Sequence, residues 1–185
     1  QNLGKTERIY AVRFLGKQAY VVTFRQTDPF YVLNLSDPAQ PALEGELKIP
    51  GYSAYLHPLA EGRILGVGRD ESRDESTVKL SLFDVSNPQN PQEIDKLSLG
   101  DFWTEVESNP RAFLQDPQAK VFFLPAGSKG YVISYTADKL IIKKEVASIE
   151  ARRAVVLNNY MYLVGSEKLV VLDQNSYEKI GELSW

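Results

Sequence analysis

Apolar residues along this chain come in short runs of four to eight, rich in Val, Ile, Leu, Tyr and Phe, and each run is closed by Gly, Pro, Asn or Asp. That punctuation predicts strands. β-Branched and aromatic side chains suit a pleated surface, and the closing residues supply the backbone angles that reverse a chain. The first group of predicted strands is Arg8–Phe14, Ala19–Phe24, Phe30–Leu35 and Leu43–Ile49. A second follows at Ser53–His57, Arg63–Val67, Val78–Val85 and Glu93–Leu99. The third is Arg111–Leu114, Lys120–Leu124, Gly130–Tyr135 and Leu140–Val146, and the fourth Arg153–Leu157, Tyr160–Val164, Lys168–Leu172 and Glu178–Leu183.

The groups echo one another. Leu33-Asn34-Leu35-Ser36-Asp37-Pro38-Ala39-Gln40-Pro41 recurs as Phe83-Asp84-Val85-Ser86-Asn87-Pro88-Gln89-Asn90-Pro91, a strand end running into Ser-(Asp/Asn)-Pro-x-x-Pro 50 residues later. Ala19-Tyr20-Val21-Val22 likewise matches Met161-Tyr162-Leu163-Val164, and each follows a polar turn, Gly16-Lys17-Gln18 or Asn158-Asn159. A period in this range predicts a β-propeller-type array of about four four-stranded blades, near residues 8–51, 52–100, 101–150 and 151–185 of a single domain 1–185.

Inner strands of stacked sheets should be apolar on both faces, because a twisted sheet hides both only when a neighbour covers each. Tyr20-Val21-Val22, Lys120-Val121-Phe122-Phe123-Leu124 and Tyr160-Met161-Tyr162-Leu163-Val164 have that character. A two-sheet sandwich uses the same strands and turns and is the rival architecture. Lys139 to Glu150 has apolar spacing compatible with a helix, but β-branched Ile141, Ile142 and Val146 and the missing capping box favour a strand. The tandem Arg69-Asp70-Glu71-Ser72-Arg73-Asp74-Glu75-Ser76 predicts an exposed hairpin tip whose charges compensate one another.

Composition narrows the chemistry. The 185 residues suffice to bury roughly 70% of the surface an unfolded chain of this size exposes. With no cysteine, disulfides, thiolate metal sites and thiol nucleophiles are excluded. The net charge is −3, with 21 basic residues scattered among 24 acidic ones, so no nucleic-acid footprint is expected. No apolar run is long enough to span a membrane as a helix. The start at Gln1 suggests a piece of something longer.

Particular stretches carry a family resemblance. Glu7-Arg8-Ile9-Tyr10-Ala11-Val12-Arg13-Phe14, Ala19 through Pro29 and Gly45-Glu46-Leu47-Lys48-Ile49-Pro50-Gly51 resemble secreted bacterial and archaeal proteins with a C-terminal β-propeller domain distantly similar to WD40 repeats. The likeness continues through Tyr55-Leu56-His57-Pro58-Leu59, Gly66-Val67-Gly68-Arg69-Asp70 and Ser81-Leu82-Phe83-Asp84-Val85-Ser86, and thins beyond about residue 100. Where the family tends to carry an Asp-His-Lys-Ala-Phe-like string, this chain has Ser108-Asn109-Pro110-Arg111-Ala112-Phe113. The family domain is longer, which implies a C-terminal portion or a reduced version here. The resemblance implies an extracellular or cell-surface propeller and supplies no catalytic residues.

His57 is the only histidine, and no His-x-His or His-Glu-x-x-His pattern exists, so no metal site and no cofactor is expected. Its imidazole should be hydrogen-bonded at the end of a strand. One histidine, no Cys and no Gly-x-Ser-x-Gly elbow leave no Ser triad. Carboxylates from different blades could still perform glycoside hydrolysis, with Asp28, Asp70, Asp101, Glu105, Glu107 and Asp116 as candidates. Asp28-Pro29, Asp37-Pro38 and Asp116-Pro117 read more simply as turn starters. Calcium at Asp70, Glu71, Asp74 and Glu75 is discounted, because the spacing is wrong and Arg73 opposes a cation. Asn34-Leu35-Ser36 fits the glycosylation triplet at a strand end, where bacterial context argues against modification.

Arg25, Asp28, His57, Arg69, Asp70, Trp103 and Arg111 are the candidate binding residues, placed where strands open or close into loops. The plainer alternative has Arg25 pairing with Asp28, and Arg69 with Asp70, to fix loops. Trp103 either anchors a partner or a sugar ring or covers a blade edge. The expected function is a non-catalytic extracytoplasmic scaffold that binds a protein or cell-surface partner. A carbohydrate-active enzyme or lectin with channel carboxylates is one alternative. The other is a homo-oligomerising domain, dimeric through exposed apolar faces centred on Tyr20 and Tyr162.

Overall fold

The computed structural model describes residues 4, 6–24, 28–70, 76–136 and 138–185, without the side chains of Phe24 and Asp28. Among them, sixteen strands form four antiparallel four-stranded sheets, each with its strands in chain order. The first holds β1 (Arg8–Leu15), β2 (Gln18–Phe24), β3 (Asp28–Asn34) and β4 (Ala42–Ile49). The second holds β5 (Tyr52–Ala60), β6 (Arg63–Asp70), β7 (Thr77–Asp84) and β8 (Gln92–Ser98). The third holds β9 (Leu114–Asp116), β10 (Val121–Ala126), β11 (Lys129–Tyr135) and β12 (Leu140–Val146). The fourth holds β13 (Arg153–Leu157), β14 (Tyr160–Val164), β15 (Lys168–Asp173) and β16 (Lys179–Ser184). The chain divides into two compact units, Gln1–Gly100 and Asp101–Trp185, each containing two sheets.

In the first unit, Tyr20, Val22, Phe30 and Val32 of the first sheet meet Leu56, Ile64 and Phe83 of the second in one buried cluster. Tyr20 stacks on Phe30, and Phe30 on Phe83, with centroids 5.8 and 4.4 Å apart. In the second unit, Val121, Phe123 and Val132 pack against Ala154, Met161, Leu163, Val170 and Leu172. Burial of whole aromatic and aliphatic side chains between the sheets is the main favourable contribution, on the order of 2 kcal/mol for each.

The repeated proline motif is a repeated turn. Ser36 N–H donates to Asn34 Oδ1 at 2.7 Å and Ala39 N–H to Asp37 Oδ1 at 2.9 Å. In the second copy Ser86 N–H donates to Asp84 Oδ1 at 2.9 Å and Gln89 N–H to Asn87 Oδ1 at 3.1 Å. Asn and Asp thus satisfy the backbone that proline and the end of the strand leave open. Asn34, the first residue of the glycosylation triplet, also donates its amide to Glu44 at 2.8 Å. The second copy seats against β4 at Gly45, where a Cβ would lie 2.1 Å from the Pro88 carbonyl oxygen.

Three expectations change. Arg111 does not open a strand: Asn109 caps a 3-10 turn over Pro110–Ala112, with Asn109 Oδ1 accepting from Arg111 N–H, and β9 begins only at Leu114. Proline at the first position of that turn, after a capping Asn, favours the turn over extension. Tyr20 does not centre an exposed face; it is 1% exposed, inside the cluster between the first two sheets. The strand Tyr160–Val164 is not buried on both faces, since Met161 and Leu163 are buried while Tyr160 is exposed and Tyr162 and Val164 are half-buried. By contrast every residue of β10 is buried, as expected of an inner strand. Lys139–Glu150 contains strand β12, not a helix.

Gly45→Ala should destabilise the protein by about 1–3 kcal/mol, because the obstructing atom is backbone and cannot rotate away. Urea unfolding measures this, with Gly181→Ala as the control. There the added methyl meets only Val171 at 3.9 Å, so a change below about 0.5 kcal/mol is expected.

Candidate functional site

The second unit begins with a loop that displays two large aromatic side chains. Phe102 and Trp103 are 57% and 42% exposed. The residues around them are tied down. Thr104, buried, donates its hydroxyl to the Pro125 carbonyl at 2.5 Å and accepts from Val106 N–H at 3.3 Å, capping a 3-10 turn over Glu105–Glu107. Thr104 also forms an isolated antiparallel bridge with Ala126. Gly127 N–H donates to the Trp103 carbonyl at 2.9 Å. Gly127 has φ 53°, and a Cβ there would meet Asp101 Oδ1 at 2.5 Å, so glycine is favoured by the backbone angle and by the closeness of the Asp101 carboxylate.

Charge surrounds the loop. The buried Tyr131 hydroxyl donates to Asp101 Oδ2 at 2.5 Å. Burial first, and then the hydrogen bond and charge of Asp101, push the Tyr131 pKa up to about 12. Lys129 lies 5.7 Å above the Tyr131 ring and 3.1 Å from Glu145. Hydrogen bonding to Tyr131 and then to Glu145 holds its ammonium above the usual lysine value. Glu105 and Arg152 pair at 3.0 Å. The loop that carries the aromatics is therefore hydrogen-bonded at Asp101, Trp103 and Thr104, and Glu105 just beyond is ion-paired.

Arg25, Asp28, His57, Arg69 and Asp70 belong to the first unit. Arg25 lies outside the described residues, and Asp28 is the first residue of β3, its side chain likewise outside them. His57 does not end its strand; it lies inside β5, half-buried, with Nδ1 2.8 Å from the Tyr55 hydroxyl. Arg69 and Asp70 close β6. Asp70 is not on an exposed tip: it is 3% exposed, 3.9 Å from Lys96, because it ends a buried central strand. Glu71, Asp74 and Glu75 of the charged loop lie outside the described residues. Arg111 is exposed on its 3-10 turn, and Trp103 is exposed on the loop just described. Of the carboxylates, Asp101 is held by Tyr131, Glu105 by Arg152, and Asp116 accepts from Gln118 N–H and Ala119 N–H, both at 3.1 Å. Among the described residues, no three His, Asp or Glu side chains gather as metal ligands.

The sequence reading missed Lys79, which is 1% exposed on β7 and donates to the Pro50 carbonyl at 2.5 Å. It fastens the second sheet to the segment linking β4 and β5. Its signal is Val78-Lys79-Leu80-Ser81-Leu82, a lysine in the interior of an otherwise apolar strand.

Successive four-stranded antiparallel meanders of this kind, packed face to face within each unit, define an all-β protein of propeller type. The chain belongs to the beta propeller domain family, whose profile matches residues 1–177. It is 51% identical over 183 residues to an uncharacterised protein of Archaeoglobus fulgidus and 40% identical over 184 residues to the uncharacterised protein MJ1554 of Methanocaldococcus jannaschii. Each alignment covers 99% of this chain and 29% of the relative's length. Among solved structures it is similar to apo AztD from Citrobacter koseri, with TM-score 0.57 and 18% identity over 95% of this chain and 47% of that one. It is also similar to KlHsv2 with loop 6CD replaced by a Gly-Ser linker, with TM-score 0.52 and 12% identity over 94% and 51% of the two chains. These two likenesses are of fold alone. Among the described residues no helix is long and apolar enough to cross a membrane.

A tyrosine whose pKa is raised on folding lends stability that is complete below its unfolded value near 10 and is lost as pH climbs towards 12. Wild-type stability in urea should therefore fall more steeply between those pH values than that of Tyr131→Phe. Equal slopes would contradict the assigned environment.

Proposed function

We propose that this chain is a non-catalytic binding module whose Phe102–Trp103 loop grips a protein partner at the cell surface. One observation carries the reading: two adjacent exposed aromatics are presented by a loop hydrogen-bonded on both sides of them. Exposed aromatic anchors on an ordered backbone contribute strongly to binding, since little conformational freedom remains to be lost on association. The carboxylates beside them are already engaged by Tyr131 and Arg152, which supports a binding role over an acid–base one. An extracellular location is the expectation that goes with the family resemblance.

The labelled protein should bind washed envelopes of the producing cells, and Phe102→Ala/Trp103→Ala should weaken that binding about tenfold or more. Protease treatment of the envelopes should abolish it. Undiminished binding by the double variant would contradict the reading, and binding that survives protease but not periodate would favour a lectin.

Self-association is a second reading, favoured by the outward face of the fourth sheet. Val155 pairs with Tyr162, Tyr162 with Val171, Val164 with Leu169 and Leu169 with Leu183, so these side chains share one face. Val155, Tyr160 and Leu183 on it are exposed. A stable interface needs roughly 1,000 Å² of such surface. Sedimentation should show a concentration-dependent dimer that Val155→Lys/Leu183→Lys dissociates; a monomer at every concentration would rule it out.

A further inference from the structure

At the other end of β10 from the aromatic loop, the turns joining β9 to β10 and β13 to β14 border an open cleft of about 480 Å³. Gln118, Asn158 and Asn159 are among the residues that line it, and none of their three carboxamides has a side-chain partner within the chain among the described residues. Asn158 and Asn159 have φ of 50° and 66°, the left-handed pair of a tight hairpin turn. Glycine would serve that geometry equally, whereas two asparagines also supply donors and acceptors.

The walls behind these amides are ordered. Gln174 donates to Asp116, whose other oxygen accepts the two backbone N–H groups of its own turn. Gln115 donates to the Tyr135 hydroxyl at 2.7 Å. Leu114, Val156 and Leu157 give the cleft an aliphatic lining.

We propose that this cleft binds a neutral polyhydroxylated ligand, a short saccharide, through the carboxamides of Gln118, Asn158 and Asn159. The lining contains no Lys, Arg or His, so it offers no counter-charge to a phosphate or carboxylate. It contains no aromatic ring, so it lacks the platform that extended proline-rich peptides use. A peptide adding as a strand would meet only the three residues of β9 and the end of β13 at Val156 and Leu157. What remains suits a sugar. Each carboxamide pairs a donor with an acceptor, each hydroxyl does the same, and the aliphatic wall receives the C–H face of the ring.

The first unit supplies an internal control. Its topologically equivalent cleft, about 530 Å³, is formed by the β1–β2 and β5–β6 turns. There the Gln18 carboxamide accepts from Tyr20 at 2.9 Å, Ser86 Oγ accepts from Arg63 at 3.2 Å, and Glu61-Gly62 replaces the asparagine pair. The site does not depend on the Phe102–Trp103 reading, and either can fail alone.

The test is a heteronuclear NMR titration of the isotopically labelled protein with maltose, cellobiose and chitobiose to tens of millimolar, followed at the side-chain NH2 signals. At least one disaccharide should shift the Gln118, Asn158 and Asn159 signals while leaving Gln18 unmoved. Asn158→Gly/Asn159→Gly keeps the turn and should weaken binding about tenfold, the equivalent of about 1.4 kcal/mol; should that variant fail to fold, Gln118→Ala takes its place with the same expectation. The proposal is overturned if no disaccharide moves these signals, if both clefts respond alike, if the variant binds as wild type, or if a blocked tetra-alanine peptide moves them and the sugars do not.

Discussion

The structure depends on the burial of one four-stranded sheet's inner face by the sheet beside it. A single twisted sheet of short strands leaves too much apolar surface in water to be stable, and stacking removes that exposure. Phe30 against Phe83 in the first unit, and Phe123 among Met161 and Leu163 in the second, are where this happens. Close approach between sheets demands small residues at the seams, which is why Gly45 faces the Pro88 carbonyl. Once the sheets are fixed in this way, their connecting turns become available for chemistry.

The two ends of the second unit use that freedom differently. At one end, Thr104, Gly127 and the Asp101–Tyr131 hydrogen bond convert a long connection into a fixed display of Phe102 and Trp103. At the other, the hairpin turns carry Gln118, Asn158 and Asn159, whose carboxamides have no side-chain partner among the described residues, beside an aliphatic wall. The carboxylates at these two ends have neighbours of their own: Asp101 accepts from Tyr131, Glu105 pairs with Arg152, and Asp116 accepts from the N–H groups of its turn. The positions that stabilise the frame and those that face outward are different residues, so loops can change while the sheets persist.

Much of the frame was legible in the sequence because strands announce themselves by composition and turns by Asn, Asp, Gly and Pro. The 50-residue echo of Ser-x-Pro-x-x-Pro proved to be two copies of one side-chain-capped turn. The first strand of the third sheet starts later than its sequence suggests, because Arg111, Ala112 and Phe113 have no turn signature of their own; Asn109 and Pro110 decide the conformation from upstream. Tyr20 and Tyr162 occupy matching strand positions, yet one is buried and the other half-exposed. Which face a neighbouring sheet covers is a tertiary property that the local pattern does not encode.

The site was less legible than the fold. Trp103 was visible as an aromatic in a polar loop, but what fixes it comes from Pro125, Gly127 and Tyr131, more than 20 residues away, and no local pattern links them. Asp70 reads as a loop charge in the tandem Arg-Asp-Glu-Ser and is instead buried at the end of β6. Lys79 carries the opposite lesson, since a lone lysine within an apolar inner strand was a signal of a buried polar fastening. The carboxamide cleft arises only when turns from two sheets come together.

The most direct test of a rigid frame presenting an ordered loop is native-state hydrogen exchange at the Gly127 amide, which donates to the Trp103 carbonyl. This amide should exchange as slowly as those of buried β10, through the same unfolding of the second unit. Exchange at the rate of an exposed turn, with β10 still protected, would contradict it.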